Sequence, residues 1–197
     1  MNSSFKNVLC LTLITLVAGT GLGYVYGITK EPIAQMEENT KLAAYKAVFP
    51  EAESFSPVDK ADEFPTAADE NACQIDSANI ALDGSNNPIG YVINATTHEG
   101  YGGDISLSIG IDNSGCVKGV EILSISETAG LGMKAREPRF KDQFKDKTVS
   151  LFKYTKSGAS TDFEIDAISG ATITTKAVTN AVNAALAYYA QAGGAGL

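Results

Sequence analysis

GYVINATTHEGYGGDISLSIGIDNSGCVKGVEILSI, residues 90–125, decides the fold. Within it, DISLSIGID (104–112) sets Ile105, Leu107, Ile109 and Ile111 on one face. That strict alternation has the period of a half-buried strand. Ile89–Thr97 is strand-like, and Val117–Ile125 alternates again after the turn Asn113-Ser114-Gly115. Upstream, Ile80-Ala81-Leu82 runs into the dense turn signal Asp83-Gly84-Ser85-Asn86-Asn87-Pro88. Together these predict an antiparallel meander over about 74–125. One connection, Gly100-Tyr101-Gly102-Gly103, is unusually rich in glycine. It reads either as a plain hairpin loop or as backbone that lets a ligand approach closely.

Downstream, Glu127–Gly132 (ETAGLG) follows the last strand as a loop. Pro138–Lys147 has the pattern of a short surface helix that packs Phe140 on Phe144 at i,i+4. Val149–Tyr154 and Phe163–Ile165 are candidate short strands. Thr174–Tyr189 is a good helix, with Val178, Ala181, Val182, Ala185, Leu186 and Tyr189 as its apolar stripe, and Gly193 and Gly194 to end it. Strands that precede helices, without βαβ alternation, make this an α+β domain with flanking helices.

Upstream of the meander the chain changes character. Between Lys6 and Lys30 lie 23 uncharged residues. As a helix they extend ~34 Å, enough for a ~30 Å hydrocarbon core. A cleaved signal peptide competes with this reading, but the apolar run continues past Ala18-Gly19-Thr20 to Ile28, so a retained anchor is expected. Gly19, Gly23 and Gly27 recur every four residues and would let a second helix approach; Tyr24 and Tyr26 suit the interfacial belt. A short tail before the span, with the bulk of the chain exported, is the expected orientation. Residues 31–49 read as a separate helix, with Pro32 in its first turn and Pro50 as its stop. Residues 51–74, acidic and holding Pro57 and Pro65, read as loop-rich connector. The expected division is an anchor at 1–30, a helix and connector at 31–74, and the mixed domain at 75–197.

The chain has 197 residues, 15 Lys and Arg against 23 Asp and Glu, and a net charge of −8. The first 30 residues carry +2, so the rest, with 13 basic and 23 acidic residues, carries −10. Such a balance argues against nucleic-acid binding, which needs clustered cations on phosphates. His98 is the only histidine and there is no tryptophan. Metal sites that need two histidines are thereby excluded. A Ser or Thr nucleophile would lack a histidine partner in a recognisable triad, leaving only a lysine base such as Lys176. Cys73 and Cys116 match no metal spacing and stand open as a disulfide or as free thiols; Cys10, within the apolar run, can at most serve a site shared with other subunits.

The chemistry concentrates in Asp166-Ala167-Ile168-Ser169-Gly170-Ala171-Thr172, a strand-to-helix turn. A helix start offers unpaired N–H groups and the positive dipole end, which suit a phosphate. Thr172, Thr174, Thr175 and Lys176 crowd this turn, and Gly170 and Ala171 keep it open. Helix capping by Ser or Thr explains the same residues equally well.

These residues resemble a known family. DAISGAT at 166–172 is similar to the D-x-x-[ST]-G-A-[ST] signature of FMN-binding domains modified by a flavin transferase. GYGGDISLSIGID at 100–112, ETAGLGMKA at 127–135 and FKDQF at 140–144 extend the resemblance, with Ala129 where the second motif usually has Pro. Anchor and length are similar to the G subunits of Rnf complexes and to the related C subunits of sodium-pumping NADH:quinone oxidoreductases. The resemblance implies FMN esterified through its phosphate to Thr172. It implies an electron relay in a ferredoxin:NAD oxidoreductase coupled to Na+ or H+ translocation. Its partners would be the other membrane and redox subunits, the transferase during maturation, and lipid, with the flavin domain outside the inner membrane. Asp166, Ser169, Gly170, Ala171, Thr174 and Thr175 would shape the attachment turn. Tyr101, Gly130, Leu131 and Gly132 would approach the ring, with Met133 also against its face; Glu127 and Thr128 would meet its polar edge; Lys134 or Lys176 would offset charge. The alternatives are an exported FMN domain serving another reductase, or an anchored binding domain without redox chemistry.

Overall fold

The computed structural model describes residues 3–58 and 72–192. By internal contacts the chain falls into two units, Met1–Thr40 and Lys41–Leu197.

The first unit is helical. It belongs to α1, Ser3–Val48, the one helix among the described residues long and apolar enough to cross a membrane. Its Val, Leu and Ile side chains are exposed from Val8 to Ile28. Its threonines return their hydroxyls to the helix: Thr12 donates to the Val8 carbonyl at 2.9 Å, Thr20 to Leu16 at 2.8 Å and Thr29 to Val25 at 2.9 Å. This leaves each hydroxyl hydrogen satisfied without water, as a lipid surrounding requires. The expected break at Pro32 is not observed, and α1 runs through it. Proline forfeits only its own bond to the carbonyl four residues back; the hydrogen bonds on either side carry the helix on.

The second unit contains the expected meander, β2 Cys73–Leu82, β3 Pro88–Thr97, β4 Ile105–Asp112 and β5 Val117–Ile125, all antiparallel neighbours. A fifth strand, β1 Ser54–Pro57, pairs with β2 where connector was expected. Pro57 is tolerated because it closes an edge strand. Residues 59–71 of the connector, with Pro65, and the terminal Gly193 and Gly194 lie outside the described residues.

The two faces of the sheet are covered differently. Ile93, Ile105, Leu107, Ile109 and Ile111 are fully buried together with Val178, Ala181, Val182, Ala185 and Tyr188 of α3, Thr172–Gln191. Each large aliphatic buried here contributes about 1.5–3 kcal/mol. The apolar stripe of α3 is as expected but wider, including Ala177, Ala184 and Tyr188, while Tyr189 sits at its margin. On the other face Tyr45, Val48 and Phe49 pack with Ala81 and Val92. Gly110 is needed here, since a Cβ would come within 3.0 Å of the Phe49 ring. Beyond that cluster the face is polar: Tyr45 Oη accepts from Asn79 Nδ2 at 3.1 Å and from Asn94 Nδ2 at 2.5 Å, while Ser108 Oγ donates to Asn94 Oδ1 at 2.6 Å.

After β5 come the expected loop over 127–131, a 3₁₀ turn, Gly132–Arg136, and α2, only Pro138–Lys141. Beyond Asp142 the backbone bonds reach three residues back instead of four, so the longer helix expected to Lys147 becomes a chain of turns. Phe140 still meets Phe144, edge to face at 5.7 Å, and Phe144 meets Phe152 at 5.1 Å. The two short strands are β6 Lys153–Thr155 and β7 Glu164–Asp166, paired in parallel.

Cys73 opens β2 opposite Thr97, at one end of the sheet, whereas Cys116 lies beyond Asp112, which pairs with Gly90 at the other end. Seven residues of strand separate those ends by ~23 Å, far beyond the ~7 Å span of a disulfide. Both thiols are free. Burial pushes the Cys73 thiol up from its usual pKa, against a hydrogen bond with Thr97.

Candidate flavin cleft

Three segments converge on a cleft of about 640 Å³: Tyr101 from the β3–β4 connection, Glu127, Thr128, Leu131 and Gly132 from the loop after β5, and Gly170–Thr174 at the start of α3. Its volume falls in the ~300–1,000 Å³ range of small-molecule sites.

Thr172 opens α3 and is half-buried on the cleft wall. Ala171 occupies the N-cap position with φ −138° and offers no side-chain oxygen. Capping by Ser or Thr therefore does not account for this turn. The first N–H groups of the helix lack a cap acceptor, which makes this end electrostatically receptive to an anion. Gly170 precedes it at φ +78°, left-handed backbone that favours glycine, and a Cβ there would come within 3.0 Å of Leu131 Cδ2. Thr175 is spent inside the turn. Its hydroxyl accepts from the Ile168 N–H at 3.0 Å and donates to the Ala171 carbonyl at 2.9 Å.

Glu127 ties the loops together. The residue is 9% exposed, and Oε1 accepts the Tyr101 N–H at 2.8 Å. Gly132 passes between Glu127 and α3 so closely that a Cβ would lie 2.7 Å from Glu127 Oε2 and 2.7 Å from Thr174 Oγ1. Gly102 is likewise constrained, by the Ser126 carbonyl. These glycines serve contact between protein segments, and Gly132 also lines the cleft. Gly130, at φ +77°, makes a turn and lies off the cleft lining. Leu131, 42% exposed, and Ile173, 51% exposed, present apolar surface to the cleft.

Other expected residues stand elsewhere. Ser169, Asp166 and Lys134 line a second cleft behind the 166–172 turn, with Glu137, Arg139 and Gln143. The Asp166 carboxylate accepts the Ala159 N–H at 2.5 Å, bracing the β6–β7 connection. Lys176 is paired with Glu99 at 2.7 Å, and Asn180 donates to the other Glu99 oxygen at 2.5 Å. The hydrogen bond to Glu99 and its charge raise the Lys176 pKa above its ordinary value. Met133 packs on the core. Ile173 and the Glu99 clamp had no sequence signal: Ile173 falls outside the buried stripe of α3, and Glu99 meets its partners 77 and 81 residues away.

Residues 100–187, which include all three segments, match the family model of the FMN-binding domain. Over most of its length the chain is similar to G subunits of membrane oxidoreductases. It is 32% identical to the G subunit of the Na+-translocating ferredoxin:NAD+ oxidoreductase complex of Acetobacterium woodii, covering 94% of this chain and 91% of that protein. It is 31% identical to the G subunit of the proton-translocating ferredoxin:NAD+ oxidoreductase complex of Clostridium ljungdahlii, covering 94% and 91%. Against the G subunit of the ion-translocating oxidoreductase complex of Methanosarcina acetivorans, identity is 30%, with 93% of each covered. In fold it is similar to the C subunit of the Na+-translocating NADH-quinone reductase of Parabacteroides distasonis, with a TM-score of 0.51 and 22% identity, covering 71% of this chain and 77% of that one. NqrC of Shewanella oneidensis is comparable, at TM-score 0.50 and 15% identity, covering 71% and 80%. An FMN-binding domain behind a long apolar helix, aligned nearly end to end with these relatives, places the chain in the family of G subunits of ion-translocating oxidoreductase complexes.

Proposed function

We propose that this chain relays electrons within an ion-translocating ferredoxin:NAD+ oxidoreductase complex through FMN joined by its phosphate to Thr172. The observation that carries this reading is the Thr172 hydroxyl beside an uncapped helix start, on the wall of the cleft. A phosphodiester there is stabilised by the helix dipole and by N–H groups that no side-chain cap occupies. Leu131 and Ile173 suit the flat apolar faces of the ring. Lys176 is engaged by Glu99 and Lys134 lies on the second cleft, so neutralisation falls to the helix start. Bound FMN supplies one- and two-electron transfer; the protein holds it and sets its surroundings.

The ester prevents loss of the flavin from an open cleft. A flavin transferase makes the bond during maturation, and the apolar helix holds the chain in lipid beside the other membrane and redox subunits. Residues 1–30 are the anchor, 31–74 join it to the flavin domain at 75–197, and that domain lies outside the inner membrane. Co-expression with a flavin transferase raises the intact mass by one FMN less one water, and denatured protein fluoresces in the gel. Thr172→Ala abolishes both. An unmodified wild-type chain under these conditions overturns the covalent reading.

A further inference from the structure

Two polar atoms on the floor of the cleft belong to buried residues and have no hydrogen-bond partner among the described residues. Glu127 is 9% exposed and Thr174 1% exposed, and both line the cleft. The Glu127 carboxylate makes a single hydrogen bond among the described residues, Oε1 to the Tyr101 N–H, which leaves Oε2 unused. Thr174 Oγ1 makes none, although the neighbouring Thr175 and Thr179 both return their hydroxyls to the helix. Glu127 Oε2 and Thr174 Oγ1 flank the same backbone, each 2.7 Å from where a Gly132 Cβ would stand. Each atom keeps access to the cleft, so a ligand seated there can hydrogen-bond to it.

A carboxylate oxygen accepts, and a hydroxyl donates as well as accepts. Side by side, they complement an N–H next to a carbonyl. On a flavin that arrangement is the imide edge of the ring, remote from the chain that carries the phosphate. We infer that Glu127 Oε2 and Thr174 Oγ1 recognise this imide edge, the carboxylate taking the ring N–H and the threonine donating to the adjacent carbonyl. The inference rests on the flavin reading of the cleft, but not on the ester to Thr172. Glu127 thereby has two tasks: one oxygen fixes the Tyr101 loop and the other orients the ring. A carboxylate against this edge also opposes the negative charge that reduction brings to the ring, and so lowers the potential of the bound flavin.

The test uses the full chain in detergent micelles with Thr172→Ala, so that no covalent flavin fills the cleft. Free lumiflavin and its N3-methyl derivative are titrated by fluorescence quenching. Lumiflavin binds roughly tenfold more tightly, the equivalent of ~1.4 kcal/mol, a step expected for a hydrogen bond to a charged group. Both probes meet the same folded protein, so misfolding cannot produce the difference. Equal affinities, or binding of neither probe, overturn the inference. In flavin-loaded protein, Glu127→Gln moves the midpoint potential to more positive values; an unchanged potential also overturns it. The ester is decided separately, by the intact mass of the wild-type chain.

Discussion

At the level of single residues, Gly132 is the most constrained position of the cleft. An added methyl meets Glu127 Cβ, Glu127 Oε2 and Thr174 Oγ1, all at 2.7 Å, and the Glu127 carboxylate cannot swing clear without losing its bond to the Tyr101 N–H. Gly132→Ala therefore costs about 1–3 kcal/mol through overpacking and spreads the Glu127 loop away from α3. Thermal denaturation reads the first effect, and reduced flavin incorporation by intact mass reads the second. Gly130→Ala meets open space and suffers only from its left-handed backbone. The place of Thr172 at a helix start was legible in the sequence because its motif is local, seven consecutive residues at a strand-to-helix turn. Glu127 was legible as a candidate, but its bond to the Tyr101 N–H was not, since the partner lies 26 residues away and uses no side chain. Lys176 misled for the opposite reason. Its place in the first turns of α3 suggested a phosphate partner, while its charge is taken up by Glu99 across the fold.

Among the elements, the polar face of the sheet depends on Tyr45. Its hydroxyl accepts from two amides, so Tyr45→Phe strands the Asn79 donor and one N–H of Asn94, whose other N–H goes to Ser77 Oγ at 2.8 Å. A loss of about 1–3 kcal/mol is expected, read as a lower denaturation midpoint. The β4–β5 turn responds to acid. Desolvation pushes the Asp112 carboxyl upward, but the Ser114 hydroxyl, the N–H groups of Cys116 and Ser114, and nearby Lys118 outweigh it and hold it below the ordinary carboxylate range. The stabilisation is then complete above the ordinary carboxylate pKa and is lost as pH falls through the lowered value. Urea midpoints from pH 7 to 2 should show Asp112→Asn less stable at neutral pH, with the gap to wild type closing in acid. The strands were readable because one face of each alternates cleanly into the core. β1 was not, because its four residues include Pro57 and none is fully buried. The break expected at Pro32 failed because a proline signal is local, whereas helix continuity depends on hydrogen bonds to either side of it.

Across the whole molecule, composition and alternation were enough to predict an apolar helix followed by an antiparallel α+β domain. They were not enough for the clefts, which form where segments distant in sequence meet. The thiols illustrate the same limit. Spacing left Cys73 and Cys116 open as a pair, and only the strand register places them at opposite ends of the sheet. Alkylation in denaturant should label all three cysteines equally with and without prior reductant, and the protein should migrate identically on reducing and non-reducing gels. The meander has a consequence in time as well as in space. β2 to β5 join as successive neighbours, so each hairpin closes soon after its second strand is made, and such local closure is fast. The helix that completes the core and carries Thr172 follows every strand in the sequence and packs on β2, β3 and β4. The proposed attachment site thus matures last. Under the proposed ester, a transferase that requires the assembled cleft would modify only chains that have finished folding, and the bound flavin would then serve as a stamp of quality on each protein that enters the complex.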